Sequence, residues 1–169
     1  MSDTSNDTPL RVIQVGTGGF GRSWAEIASD TGGIELVAVA DPAPAAREWA
    51  AATLDLPAAR IVPDLDAALA VEADAVLVIT PPATHHAVVT QALEAGRHVL
   101  VEKPLATTIA EAKDLIATAE RTGKTLVTSQ NYRYRNPARA VQRAIAEGEL
   151  GDLLSVDIDF RRDTRTLFG

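Results

Sequence analysis

The sequence predicts an α/β fold, a parallel sheet doubly wound with helices on both faces. Two observations predict it. Short apolar runs of strand length alternate with longer stretches of helical periodicity, and this happens six times along the chain. The first run, residues 10–15, leads directly into a glycine-rich turn at 16–21, which is typical of a strand that passes into a helix.

The six predicted strands are short and spaced by helix-length segments. The fourth is continuously apolar, as a strand covered on both faces should be. Six parallel strands of this kind favour the order 3-2-1-4-5-6 in the sheet. In chain order the predicted strands span residues 10–15, 34–40, 61–62, 75–79, 98–101 and 125–128.

The first helix is predicted to begin near Gly19. Large and small apolar residues recur after the turn at helical spacing, which places them on one face; they are Phe20, Trp24, Ile27 and Ala28. The second helix follows Pro42 and runs to about Leu54, and the fourth spans residues 84–95.

The remaining helices carry recognisable end signals. Asp64 can cap the third helix, which ends near residue 70. Thr108 and Glu111 form a capping-box pattern that opens the fifth. Asn136 precedes a proline and is predicted to cap the sixth, which ends at Gly148.

A different pattern follows the sixth helix. Apolar Leu154, Val156, Ile158 and Phe160 alternate with polar residues, which predicts a half-buried strand of antiparallel type over residues 153–161. We therefore expect three segments: a disordered tail at 1–9, a nucleotide-binding domain at 10–130, and, at 131–169, a linking helix with the first strand of a truncated α+β domain. The uncovered strand predicts association into a homo-oligomer.

The glycine turn predicts a dinucleotide site. Gly16 permits a tight turn off the strand, Gly18 lets a pyrophosphate approach the backbone, and Gly21 lets the helix lie close to the sheet. The helix N-terminus then offers free N–H groups to phosphate. Asp41 lies about 20 residues beyond the third glycine, where a carboxylate can bind an adenosine ribose. A 2′-phosphate would be repelled there, so NAD is favoured over NADP.

Composition narrows the remaining classes. A net charge of −7 argues against nucleic acid as a partner, and no apolar run is long enough to cross a membrane. The chain has no cysteine and no signal-peptide pattern at its start, which favours the cytoplasm. Its three histidines have no metal-ligand spacing, so no metal site is predicted.

Five motifs in one order carry a family resemblance. They are the turn at 16–21, Ala-Asp-Pro at 40–42, Thr-Pro-Pro-Ala-Thr-His at 80–85, Glu-Lys-Pro at 102–104 and Asn-Tyr-Arg-Tyr at 131–134. Together they resemble the Gfo/Idh/MocA family of NAD(P)-dependent oxidoreductases over about residues 10–160. The resemblance implies a doubly wound Rossmann sheet. It also implies a second domain whose Asp/His pair is absent here, because all three histidines precede it.

The resemblance also implies residue roles. Backbone amides of Gly18, Gly19 and Phe20 would contact the pyrophosphate, and Asp41 the adenosine ribose. Lys103 would contact the substrate hydroxyl and assist proton transfer, as the catalytic residue. The implied contacts at the nicotinamide end of the cofactor are Thr80, Pro81, His85, Glu102, Lys103 and Asn131.

Three functions remain open at this point. The first is an oxidoreductase that transfers a hydride between NAD and a secondary alcohol of a sugar, inositol or similar polyol. The second is a truncated, catalytically inactive NAD-binding module. The third is another enzyme with this sheet, such as a methyltransferase, against which the Glu-Lys-Pro motif argues. The truncated chain alone is expected to bind NAD without turning over substrate.

Overall fold

The computed structural model describes residues 8–159 and 161. The chain divides into two units, the first ending at Ser129 and the second beginning at Gln130. Residues 1–7 of the predicted N-terminal tail lie outside the described residues, as does Phe160.

The first unit is a six-stranded parallel sheet in the order β3-β2-β1-β4-β5-β6, which confirms the predicted topology. Val15 at the end of β1 pairs with Ala40 and Val78, and Val78 pairs with Val101. The carboxyl ends of four strands therefore lie level at one edge. The strands are β1 (Leu10–Val15), β2 (Ile34–Ala40), β3 (Ile61–Val62), β4 (Ala75–Val78), β5 (His98–Val101) and β6 (Leu126–Thr128).

Helices cover both faces of this sheet. The two N-terminal caps predicted in this unit are confirmed: the Asp64 carboxylate accepts a hydrogen bond from Ala67 N at 2.9 Å, and Thr108 and Glu111 form a complete capping box. The helices of this unit are α1 (Gly19–Asp30), α2 (Pro44–Thr53), α3 (Leu65–Leu69), α4 (Pro82–Glu94) and α5 (Ile109–Thr122). No helix among the described residues has the length and apolar character needed to span a bilayer.

Two apolar cores result, one on each face of the sheet. Ile13 and Val76 lie in the core formed with α3, α4 and α5. Val12 and Leu77, their neighbours in sequence, lie in the core formed with α1 and α2. This alternation explains why the central strands are apolar at consecutive positions.

The face that α1 turns to the sheet differs from the predicted one. Gly21, Ala25 and Ala28 are buried, whereas Phe20 and Ile27 are 66% and 61% exposed. Small side chains let a helix lie close to the strands beneath it. The prediction that Phe20 and Ile27 lie on the buried face of α1 was therefore wrong. Phe20 instead borders the carboxyl edge of the sheet.

The second unit contains a short 3-10 turn at Asn131–Tyr134 and helix α6 (Asn136–Ala146). Asn136 is the first helical residue and Arg135 occupies the cap position, one residue earlier than predicted. The predicted strand at 153–161 is not formed over residues 153–159, and Leu154 is 97% exposed. A strand is held by hydrogen bonds to a neighbour, and the described residues of this unit provide no neighbouring strand.

The opposite, amino-terminal edge of the sheet carries an ion-pair cluster. Arg11 Nη2 lies 3.1 Å from Asp74 Oδ1, and Arg11 N donates to Asp74 Oδ2 at 2.8 Å. Hydrogen bonds from the guanidinium, and then from the backbone amide, hold the pKa of Asp74 below its ordinary value. A carboxyl with a lowered folded-state pKa stabilises the fold above its unfolded pKa, and this contribution is lost as pH falls through the folded value.

Asp74→Asn is expected to destabilise the protein at neutral pH and to converge with the wild type in acid, where Asp74 is itself protonated. Urea unfolding at a series of pH values measures this. Asp55→Asn is the control, because Asp55 is exposed and has no ion pair among the described residues. Parallel stability curves for Asp74→Asn and wild type would contradict the pH dependence.

Candidate functional site

A cleft of about 980 Å³ opens at the carboxyl edge of the sheet. It lies where β1, β2, β4 and β5 end level with one another, which is where open parallel sheets bind ligands. Most of the predicted site residues line it: Gly16, Gly18, Phe20, Gly21, Asp41, Thr80, Pro81, Glu102 and Lys103.

The glycines of the turn have different roles. Gly16 has φ +94°, and a β-carbon there would overlap the carbonyl oxygen of Ile79. A β-carbon on Gly21 would overlap the carbonyl oxygen of Gly16, so Gly21 closes the turn on itself. A β-carbon on Gly18 would meet no protein atom within 4 Å. Gly16 and Gly21 therefore shape the turn, and Gly18 leaves its surface open toward the cleft.

The N-terminus of α1 faces this open surface without a side-chain cap. Gly18 occupies the cap position and has no side chain to cap the helix, and the first turn of the helix contains no acidic residue. The first N–H groups of a helix have no intrahelical partner, and the helix dipole adds partial positive charge. The arrangement is suited to an anionic group such as phosphate.

Asp41 follows β2 and is 7% exposed. Its Oδ2 accepts a hydrogen bond from Thr17 N at 2.8 Å, and its Oδ1 accepts one from Ala43 N at 2.9 Å. The carboxylate thus ties the glycine turn to the start of the next segment. Two carboxylate oxygens offer about four acceptor positions, so Asp41 retains capacity for hydroxyl donors from the cleft.

The turn after β5 presents Lys103. Trp24 Nε1 of α1 donates to Glu102 Oε1 at 3.2 Å, and Lys103 N donates to Glu102 Oε2 at 2.9 Å. Lys103 itself is exposed at the cleft, and no acid of the described residues forms an ion pair with its ammonium group. The glutamate carboxylate is used to hold the turn, and the lysine side chain is left available.

His85 does not line the cleft. Its ring is fully buried, with Nδ1 2.8 Å from the carbonyl oxygen of Pro104 and Nε2 2.9 Å from that of Thr80. It therefore joins the loop after β4 to the turn that carries Lys103. Both ring nitrogens face backbone carbonyl oxygens, and a contact of His85 with the cofactor stays a prediction.

Of the two remaining predicted residues, one belongs to the glycine turn and the other to the second unit. Gly19 lies within the turn between Gly18 and Phe20 and adopts φ +39°. Asn131 is exposed and begins the 3-10 turn of the second unit, and its contact with the cofactor stays a prediction.

Three residues that support the site were missed from the sequence: Gln14, Thr17 and Trp24. Gln14 and Thr17 are fully buried, and both hydrogen-bond within the carboxyl edge. The sequence contained an indication for Gln14. An uncharged polar residue in a strand that is otherwise suited to burial on both faces needs a hydrogen-bond partner. Nothing in the sequence distinguished Trp24 from a core residue of the first helix, because its spacing is typical of such a residue.

Comparison with known proteins identifies the family. A family model described as "Oxidoreductase family, NAD-binding Rossmann fold" (GFO_IDH_MocA) matches residues 10–130. The chain belongs to the Gfo/Idh/MocA oxidoreductase family. Its first unit is the NAD-binding Rossmann domain of that family, as the resemblance implied.

Curated and solved family members agree with this placement. The chain is 32% identical over 148 residues to D-apiose dehydrogenase of Paraburkholderia graminis, covering 87% of this chain and 39% of that protein. It is 31% identical over 160 residues to D-glucoside 3-dehydrogenase of Escherichia coli, covering 90% and 44%. The WlbA dehydrogenase of Bordetella pertussis, solved with NADH and UDP-GlcNAcA, superposes with a TM-score of 0.76 at 29% identity, covering 86% and 42%.

This Gfo/Idh/MocA chain therefore spans about two fifths of the length of the curated relatives it matches. The residues at its cleft fit the family's cofactor. Gly18 leaves open space where a pyrophosphate needs close backbone approach, the uncapped α1 faces that space, and Asp41 borders it.

Proposed function

We propose that this chain holds NAD along the cleft for the oxidation or reduction of a secondary alcohol on a sugar or similar polyol. The observation that carries the proposal is that Lys103 shares one cleft with the glycine turn and Asp41. The names of two relatives, D-apiose dehydrogenase and D-glucoside 3-dehydrogenase, support sugars as the substrate class.

Each part of the cleft takes one part of the cofactor in this proposal. The amides of Gly18, Gly19 and Phe20 bind the pyrophosphate at the start of α1. Asp41 accepts hydrogen bonds from the adenosine ribose. Thr80 and Pro81 border the nicotinamide ribose, so that the reactive ring comes to lie near Lys103.

NAD supplies the hydride acceptor, and the chain's own residues manage the proton. The Lys103 ammonium polarises the substrate oxygen when a carbonyl is reduced, and its amine form accepts the hydroxyl proton when an alcohol is oxidised. Glu102 has a positioning role in this proposal. It accepts from Trp24 and from Lys103 N, and so it fixes the backbone from which the lysine extends.

A cofactor preference follows from Asp41. The 2′-phosphate of NADP would approach the carboxylate of Asp41, a residue that is only 7% exposed, and two anions at close range repel. The nearest cation in sequence, Arg47, donates from Nη1 to the carbonyl oxygens of Asp41 and Pro42 at 2.8 and 2.9 Å. That nitrogen is therefore engaged with the backbone.

We expect NAD to bind more tightly than NADP. Asp41→Asn should lower the ratio of the Kd for NADP to the Kd for NAD by about tenfold or more, because it removes the charge and keeps an acceptor. Titration calorimetry with both cofactors measures the two dissociation constants and hence their ratio. Asp55→Asn, an exposed acid outside the cleft lining, should leave it unchanged. Tighter binding of NADP to the wild type would overturn the preference.

The proposed reaction is tested on this chain joined to a complete second domain of the family. Formation of reduced nicotinamide is followed with a panel of pentoses, hexosides and cyclitols, each paired with its deoxy analogue. Activity that disappears with the loss of one secondary hydroxyl supports the proposal. NAD binding with no turnover on any polyol would refute the substrate class and favour a binding module.

A further inference from the structure

The carboxyl-terminal end of β1 contains a buried amide. Gln14 is fully inaccessible to solvent and pairs in the sheet with Val39 of β2 and Leu77 of β4. A carboxamide buried among apolar strands lowers stability unless its polar atoms find hydrogen-bond partners. An aliphatic residue would suit this strand better, so the role of the amide lies in what it contacts.

Both contacts of the Gln14 amide nitrogen are to the glycine turn. Nε2 donates to the carbonyl oxygen of Gly16 at 2.8 Å and to that of Gly21 at 2.7 Å. These carbonyls belong to the first and last glycines of the turn. The amide therefore uses both of its N–H groups to bridge the two ends of the segment that presents Gly18 to the cleft.

The oxygen of the same carboxamide, Gln14 Oε1, is buried without a hydrogen-bond donor among the described residues. The opposite orientation of the amide would direct that oxygen at two carbonyl oxygens, which repel an acceptor. One acceptor thus stays unpaired in the strand, and the two hydrogen bonds to the turn offset its cost in stability.

We propose that Gln14 is a positioning residue for the phosphate-binding turn. By joining Gly16 and Gly21 from beneath, it keeps the amides that follow Gly18 in the arrangement a pyrophosphate requires. This inference rests on the proposed binding of NAD in the cleft. It assigns part of the affinity for NAD to a side chain that cannot touch the cofactor, because it is wholly buried.

The deciding variant is Gln14→Met, which keeps an unbranched side chain of similar length and removes both donors. We expect the Kd for NAD to rise by about tenfold or more, measured by calorimetry on the folded protein. The matched control is Val12→Ala. Val12 is 1% exposed on the same strand and packs in the core with α1 and α2, without a hydrogen bond to the turn. It should lower the stability and leave the Kd unchanged.

Unchanged NAD affinity in folded Gln14→Met would overturn the inference and leave Gln14 a core residue. A Kd that rises equally in both variants would also overturn it, because general loosening would then explain the effect. A wild type that binds no NAD would instead refute the proposed function, so the two failures are distinct.

A measurement on the wild type keeps the inference testable should Gln14→Met not fold. In ¹⁵N NMR spectra the Gln14 side-chain amide should exchange slowly with solvent and should shift when NAD saturates the protein. The exposed Gln142 of α6 provides the comparison and should stay unchanged. Fast exchange of the Gln14 amide, or a resonance that ignores bound NAD, would contradict the proposed positioning.

Discussion

Gly18→Val is expected to weaken NAD binding by about 100-fold or more while the protein keeps its fold. The backbone of Gly18 is extended, with φ −81° and ψ 163°, which a β-branched residue adopts without strain. A β-carbon there meets no protein atom within 4 Å. The valine would therefore project into the space that the pyrophosphate needs, without disturbing the turn.

The other glycines provide the comparisons for this experiment. Gly32 lies between α1 and β2, also has open space around a β-carbon, and is absent from the cleft lining, so Gly32→Val should bind NAD normally. Gly16→Val should instead destabilise the fold, because its β-carbon overlaps Ile79 and its φ is +94°. Circular dichroism and calorimetry together separate these outcomes. Wild-type NAD affinity in Gly18→Val would place the pyrophosphate elsewhere.

Lys103→Ala is expected to lower kcat by about 10²-fold or more when this chain is joined to a complete second domain, the range typical of a general acid–base group. The effect on NAD affinity should be much smaller, because the turn, α1 and Asp41 are untouched. The backbone of the turn should also survive, since its restraints come from Glu102 and from the buried ring of His85 rather than from the lysine side chain.

Two lysine variants refine that test. Lys103→Arg keeps the positive charge but cannot release a proton at any ordinary pH, so it should remain slow if proton transfer is the role. Lys113→Ala removes an exposed lysine from α5, outside the cleft lining, and should leave kcat unchanged. Full turnover by Lys103→Ala would reduce Lys103 to a surface lysine.

The sheet could be predicted from the sequence because the residues of each strand reflect whether one or both of its faces are buried. β4 is apolar at every position since both of its faces are covered, and the caps at Asp64 and Thr108 are local interactions with their own helices. The register at the carboxyl edge then follows from parallel pairing. This brings Gly16, Asp41 and Lys103 to one cleft although they are distant in sequence.

The face of α1 could not be predicted in the same way. Helical spacing identifies a set of apolar residues, but close approach to a sheet favours small side chains over large ones. Ala25 and Ala28 therefore face inward while Phe20 and Ile27 face outward. The choice depends on the distance between helix and sheet, which no local pattern encodes.

The roles of Gln14 and His85 depend on contacts between segments. His85 is part of a sequence motif, which suggested a ligand contact, yet its two nitrogens lie against the carbonyl oxygens of Thr80 and Pro104. The predicted strand after α6 failed for a related reason. Its alternation is real, but a strand forms only beside a partner, and the described part of the second unit provides none.

The most direct test of the account is a titration of this chain with NAD, followed residue by residue in ¹H–¹⁵N spectra. We expect saturable binding with the largest amide shifts at Gly18, Phe20, Asp41, Thr80 and Lys103, all at the carboxyl edge. Arg11 and Asp74, which pair at the opposite edge of the sheet, should not shift. Saturation without shifts at the glycine turn, or no saturable binding of NAD, would contradict the account.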